Sequence, residues 1–376
     1  MGRSDRTRIE RPYGNGAPMN TALIDAIVRA VLYEGYMLYP YRPSSVKNRQ
    51  RWNFGVVYPK AYSEMQTGAD SWFMQTECLA TGGPGTELTV KVRFLQAVAR
   101  TIGQPKIPLD EWPVGGEGSR EPDFQTVQTL QVGDQILQTW EEAIEREITL
   151  PPLPLNDGVT EVRSSQALFP GGKEIEPVRN RDGKIAAFLV RTKKSVTAQV
   201  DVSAACVSER FFKVTVRISN VAATDPASVS RSDALMQSLL SAHTILAIEG
   251  GEFVSLLDPP ASLKEFVSAC SNIGTWPVLA GEEGRRETML SSPIILYDYP
   301  QIAPESPGNL FDGTEIDEIL ALRILTLTED EKHEMRSADA HARQILERTE
   351  SMPMEHFMKL HGVLRGLRPA DSEEKS

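Results

Sequence analysis

Val196-Thr197-Ala198-Gln199-Val200-Asp201-Val202-Ser203 and Phe212-Lys213-Val214-Thr215-Val216-Arg217-Ile218-Ser219 are the two stretches that decide the fold. In each, an apolar residue at every second position alternates with a polar one, the period of a strand whose two faces meet different surroundings. The chain between them turns near Ser208-Glu209. The pair therefore reads as two long neighbouring strands of an antiparallel sheet with one wet face. Just upstream, Asp182-Gly183 precedes the run Lys184 to Val190 and marks a tight hairpin turn.

Further strands are read toward the N-terminus. Trp72 to Ala80 and Glu87 to Gln96 flank Thr81-Gly82-Gly83-Pro84-Gly85, a loop of hairpin length, and Leu88, Val90 and Val92 alternate with Thr89, Lys91 and Arg93. Arg51 to Tyr58 and Ala143 to Leu150 are strand-like, and Met289 to Tyr297 reads as a buried strand. Helices are expected elsewhere. Asn20 or Thr21 can cap a helix whose Ile24, Ile27, Val28, Val31 and Leu32 form one apolar stripe, with Gly35 as its stop. Asp233 to Leu246 and Pro260 to Ser271 carry helical patterns. So do Glu315 to Leu325, the stretch from the capping box Thr328-Glu329-Asp330-Glu331 to about Thr349, and Ser351 to Leu367.

Together these readings predict an α+β fold: an antiparallel sheet core with helices at the N-terminus and a helical C-terminal segment. Residues 1–18 read as a disordered tail, 19–310 as the core, 311–368 as the helical segment and 369–376 as disordered. The Pro- and Gly-rich stretches 103–123 and 151–158 are two alternative places to divide the core.

The chain has 376 residues, 40% hydrophobic and 24% charged, an ordinary globular composition, with a net charge of −11. That acidity argues against a nucleic-acid or membrane-surface binder. The polar N-terminus is no secretory signal and no run reaches the length of a membrane span, so a cytoplasmic protein is expected. Cys78, Cys206 and Cys270 are far apart and read as buried residues rather than a disulfide framework or metal site. The histidines His243, His333, His341, His356 and His361 form no H-E-x-x-H and read as surface positions. A phosphate-binding loop, a dinucleotide-binding G-x-G-x-x-G and a G-x-S-x-G elbow are all missing from the sequence, and no metal or cofactor is expected.

Two segments stand out as candidate binding surfaces. Six of the nine tyrosines fall between Tyr33 and Tyr62, and Gly35 to Ser63 holds five basic residues and no acidic one. Its centre offers Tyr39, Tyr41, Arg42, Lys47, Asn48, Arg49, Arg51 and Trp52. Arginine forks grip carboxylate or phosphate, and Tyr and Trp add rigid contact area. The same cations could instead pair with the protein's own surplus carboxylates. The second segment carries Asp298 and Tyr299, then Asp312, Glu315, Asp317 and Glu318 at a helix entrance. Acids there complement a helix dipole, and they also make a docking patch for a basic surface.

Leu38 to Pro59, Ser292 to Pro300, Asp312 to Thr328 and Met358 to Gly362 resemble stretches of a family of bacterial proteins encoded beside the subunits of high-affinity nickel–iron hydrogenases in soil bacteria. The resemblance covers both ends of the chain well and the middle poorly. It implies an accessory or assembly role with a hydrogenase subunit or another accessory protein as partner, not hydrogen oxidation by this chain. The sequence agrees with that limit, since it lacks the paired C-x-x-C motifs and Cys runs that nickel–iron and iron–sulfur centres need. The expected function is a non-catalytic accessory protein that binds a partner polypeptide. The alternative is an enzyme or binding protein for a small anionic ligand held by Arg42, Lys47, Arg49 and Arg51.

Overall fold

The computed structural model describes residues 21–34, 54–66, 68, 70–112, 122–155, 162–224 and 229–301, with scattered positions between 328 and 351. The two alternating stretches are strands, paired antiparallel, with Val200 opposite Ile218 and Val202 opposite Val216. Their apolar faces are buried, and their polar faces are half-buried rather than fully wet.

In chain order the strands are β1 (Phe73–Thr81), β2 (Glu87–Gln104), β3 (Gln125–Val127), β4 (Thr129–Val132), β5 (Gln135–Gln138), β6 (Trp140–Thr149), β7 (Leu153–Pro154) and β8 (Arg163–Phe169). They continue as β9 (Gly172–Arg179), β10 (Ile185–Lys193), β11 (Val196–Ser208), β12 (Phe211–Asn220), β13 (Leu240–Glu249), β14 (Trp276–Leu279) and β15 (Thr288–Ser292). The helices are α1 (Thr21–Glu34), α2 (Lys60–Met65), α3 (Arg231–Leu235) and α4 (Lys264–Ser268).

A four-stranded sheet, β1-β12-β11-β8, faces a nine-stranded sheet, β14-β15-β13-β2-β10-β9, in which β3, β6 and β7 line the other edge of β2. One core lies between them. The first sheet contributes Cys78, Val200, Val202, Phe212, Val214 and Val216, and the second Leu88, Val90, Val92, Phe94, Leu246 and Met289. Two antiparallel sheets joined through interdigitated apolar faces make a β-sandwich. Each such side chain, fully buried, contributes about 1.5–3 kcal/mol.

The nine-stranded sheet extends past the sandwich. The far half of β2, with β10 and the β4–β5 hairpin, buries Ile102, Val132, Leu137 and Ala187 in a second cluster. Beside it Arg100 and Arg191 share Glu142, at 3.0 and 2.8 Å, and Arg191 also pairs with Glu176 at 2.7 Å.

One ribbon ties the two sheets together. β8 pairs with β11 in the first sheet and β9 with β10 in the second, so Phe169 faces Val196 and Gly172 faces Lys193. Residues 163–202 are thus a single hairpin bent from one layer into the other. At the bend, a Cβ on Gly171 would stand 3.0 Å from the Lys193 carbonyl oxygen and the Ser195 nitrogen, so the close approach of the strands requires glycine there. At the tip, Gly183 has φ +80°, and the Asn180 side-chain oxygen accepts from the backbone N–H groups of Asp182 and Lys184. This is the turn that Asp182-Gly183 predicts.

The N-terminal helix also agrees with its stripe. Ile24, Ile27, Val28 and Val31 of α1 pack on Ile245, Val278 and Leu290, covering the outer face of β13, β14 and β15. Arg93 on β2 donates to Asp25 of α1 and to Glu147 of β6, both at 2.7 Å, which fixes the helix against the sheet.

The α+β expectation is overturned. The fold is mostly antiparallel β: up to β15 the described residues hold four α-helices, the longest of 14 residues. The expected C-terminal helical segment, residues 311–368, lies almost wholly outside the described residues, and most of the few described positions there, such as Lys332 and Glu347, are helical. The stretch Asp233 to Leu246 misleads for a physical reason. Only α3 is helical there, and β13 is buried along nearly its whole length on both faces, which erases the alternation that marks a strand. The strands β1 and β2 do not form a hairpin across Thr81–Gly85: they belong to different sheets. Tyr58 ends no strand, since Val57 makes one isolated bridge to Leu239. The Pro260–Ser271 pattern yields a short 3-10 turn and α4.

Candidate functional site

Tyr39, Tyr41, Arg42, Lys47, Asn48, Arg49, Arg51 and Trp52, and Asp312, Glu315, Asp317 and Glu318, lie outside the described residues. Asp298 and Tyr299 lie on an extended strap, residues 293–300, that follows β15 and crosses the end of the nine-stranded sheet.

The strap alternates. Ile294 and Leu296 turn inward onto the α1 cluster, and Leu296 is buried. Ile295 and Tyr297 turn outward and are 71% and 85% exposed. Asp298 turns inward again. Its carboxylate accepts from the Ser255 hydroxyl at 2.5 Å and from the Leu279 backbone N–H at 2.8 Å. Tyr299 donates its backbone N–H to the Leu279 carbonyl at 2.7 Å, adopts φ +58° and packs on the main core. A non-glycine residue in that left-handed region is held there by its surroundings. Asp298 and Tyr299 therefore anchor the strap, and the side chains it presents are Ile295 and Tyr297. Reading Met289 to Tyr297 as one buried strand misses this: β15 ends at Ser292, and the apolar run Ile294 to Tyr297 gives no sign of which members face out.

The root of the strap is fixed by a buried polar chain. His243 on β13 is fully buried, not at the surface as expected. Its Nδ1 lies 2.7 Å from the Ser241 carbonyl oxygen, an acceptor only, so Nδ1 carries the proton. Its Nε2 then accepts from the Ser292 hydroxyl at 3.2 Å, and the Ser292 oxygen accepts from the Ile294 backbone N–H at 3.1 Å. Burial holds the imidazole down to about 4, well below its ordinary value. A Ser–His contact of this kind can activate a nucleophile where substrate reaches it. Here both residues are fully buried, and the contact locks β13, β15 and the strap in register. Ser241 adds strain at φ +51°, and its buried hydroxyl has no partner among the described residues.

The cysteines follow three environments instead of one. Cys78 is buried in the core, and burial pushes its thiol far up. Cys270 is half-buried, and burial with the nearby Glu77 carboxylate raises its thiol to about 11. Cys206 is exposed, contrary to expectation, because β11 bulges between Cys206 and Ser208 at the end of its hairpin and breaks the alternation. All three are free.

Among the described residues, no group of three or more His, Cys, Asp or Glu side chains could hold a metal ion, and no helix is long and apolar enough to cross a membrane. Compared with known proteins, the chain matches no family model and no curated protein.

Proposed function

We propose that this protein is a non-catalytic accessory protein that grips a partner polypeptide through the outward face of the 293–300 strap. One observation carries the reading. Two of the three most exposed large apolar side chains among the described residues, Tyr297 and Ile295, sit two residues apart on a backbone pinned at both ends. Large side chains held in place before contact lose little entropy on binding, and Tyr is among the residues that anchor interfaces. The resemblance at 292–300 to proteins encoded beside nickel–iron hydrogenases makes the hydrogenase subunits the first partners to test. The acidic positions Asp312 to Glu318 and the basic loop Arg42 to Arg51 would steer the encounter. A cytoplasmic setting fits three free thiols, one of them exposed.

The test is co-purification of the full-length protein with hydrogenase subunits from a native host. The wild type is expected to retain them. The double variant Ile295→Ala, Tyr297→Ala is expected to bind at least about tenfold more weakly with an unchanged melting temperature. No co-purification by the wild type, together with unchanged hydrogenase activity in a deletion strain, overturns the reading.

A further inference from the structure

We propose that the side of the sandwich away from the strap holds a binding site for a small amphipathic carboxylate, with Arg163 at its mouth. The argument starts from the register of β8. Its inward-facing positions are Arg163, Ser165, Ala167 and Phe169, set opposite Val202, Val200, Ala198 and Val196 of β11. Ala167 and Phe169 pack on the core. The other two positions carry a cation and a hydroxyl, where a sandwich of this thickness would normally supply branched apolar side chains. The interior therefore opens to solvent beside them.

The opening is a pocket of about 340 Å³, walled by Leu88 and Val90 of β2, Val202 of β11, Leu150 just after β6 and Leu153 of β7. All five wall residues are buried core side chains, so a ligand's apolar part would meet a dry surface. The volume lies at the lower end of the range for small-molecule sites, which are mostly apolar with a few polar groups at one end. Those polar groups are here the rim residues Arg163, Ser164 and Ser165.

Charge decides the chemical class. Arg163 donates Nη1 to the Pro152 carbonyl at 3.0 Å, which spans the mouth from one sheet to the other. No ion pair to a carboxylate is seen for it among the described residues, so its guanidinium keeps donors for a ligand. A guanidinium has five N–H donors in a fixed fork that matches a carboxylate in two-point contact. An occupant with a carboxylate head and an aliphatic or aryl tail would satisfy the cation and fill the dry slot at once. An amine head would place like charges together, and a neutral alcohol would gain only the tail. The site is independent of the strap and of whether the protein binds a polypeptide there.

The test is calorimetric titration of the full chain with octanoate, octan-1-ol and octylamine. Octanoate is expected to bind, with octan-1-ol and octylamine each weaker by at least about tenfold, the difference a charge-assisted hydrogen-bonded pair makes. Arg163→Gln is expected to bring octanoate down to the level of octan-1-ol and to leave octan-1-ol unchanged. Ser165→Phe, which fills the slot, is expected to abolish binding of all three. Circular dichroism confirms that each variant is folded. No binding of octanoate to the wild type, equal binding of octanoate and octylamine, or octanoate binding that survives either substitution in a folded variant overturns the proposal.

Discussion

The two outer strands of the four-stranded sheet are treated in opposite ways. β1 is laced down. Gln75 exchanges backbone hydrogen bonds with Ile273 at 3.0 and 2.9 Å, the Thr81 N–H donates to Glu252 at 2.7 Å, and the Leu79 carbonyl accepts from Val254 at 2.9 Å. Glu77 accepts from Lys213, Thr215 and the Ser271 backbone, and Thr76 reaches across to Ser291 of the facing sheet. β8 pairs with β11 alone among the described residues, and the bond from Arg163 to Pro152 is its one described side-chain hydrogen bond toward the facing sheet. An uncovered edge is a liability that proteins ordinarily blunt. Covering β1 takes loop backbone from 252–254 and 271–273, and among the described residues β8 receives no such loop. Rigidity is concentrated on the laced side, where the strap is anchored, and access on the open side, where the pocket lies.

That contrast can be broken or sharpened by four measurements. The largest effect is expected at Phe94, fully buried and edge-to-face with Phe169 at 5.1 Å, where the open side meets solid core. Phe94→Ala should cost about 3–5 kcal/mol in urea unfolding. A loss under about 1 kcal/mol would mean that the core beside β8 is loosely packed as well.

Acid should act next, through the laced side. His243 is held near 4 when folded and returns to about 6.5 when unfolded. The unfolded chain therefore binds the proton first. Stability from this group is intact above pH 6.5 and is lost as the pH falls from 6.5 toward 4, by about 3 kcal/mol at about 1.4 kcal/mol per unit. Unfolding at a series of pH values should show this slope in the wild type and a flatter one in His243→Gln. Parallel slopes would contradict the assignment.

Glu77→Ala should come third, at about 2–3 kcal/mol, because it strands the Ser271 N–H and leaves Lys213 and Thr215 to find water. Lys213 is partly exposed and escapes some of that cost. The smallest effect is expected at Ser165→Val, which adds apolar volume to the pocket and should change stability by no more than about 1 kcal/mol, in the stabilising direction. A loss of about 2 kcal/mol or more would show the open side to be as tightly fitted as the laced one.

Much of the sandwich could be read from the sequence where burial is one-sided. Val196 to Ile218 and the stripe Ile24 to Leu32 each carry a period because one face meets core and the other does not. β13 could not be read as a strand: α1 covers one face and the four-stranded sheet the other, so Leu240 to Ile248 show no alternation. Loop length at Thr81–Gly85 carries no information on which layer the next strand joins. Of the proposed contact residues, Ile295 and Tyr297 are apolar neighbours of apolar residues, and only the fixed backbone reveals their direction. The pocket leaves a signal in the sequence: Arg163, Ser165 and Ala167 occupy alternate positions beside Phe169 where bulky residues belong.

The ribbon 163–202 has a consequence for how the molecule assembles. Because its two arms give one strand pair to each layer, a single turn at Asp182-Gly183 sets the alignment of both. A side chain's face depends on counting in twos, so one residue inserted in that turn would transfer the inward set of β8, or of β9, to solvent. The pairings within the ribbon are also close in sequence, whereas those of β1 with β12 and of β2 with β13 join distant parts of the chain. Closing the short loop first costs the least entropy, which makes this hairpin the natural template on which the remaining strands are laid.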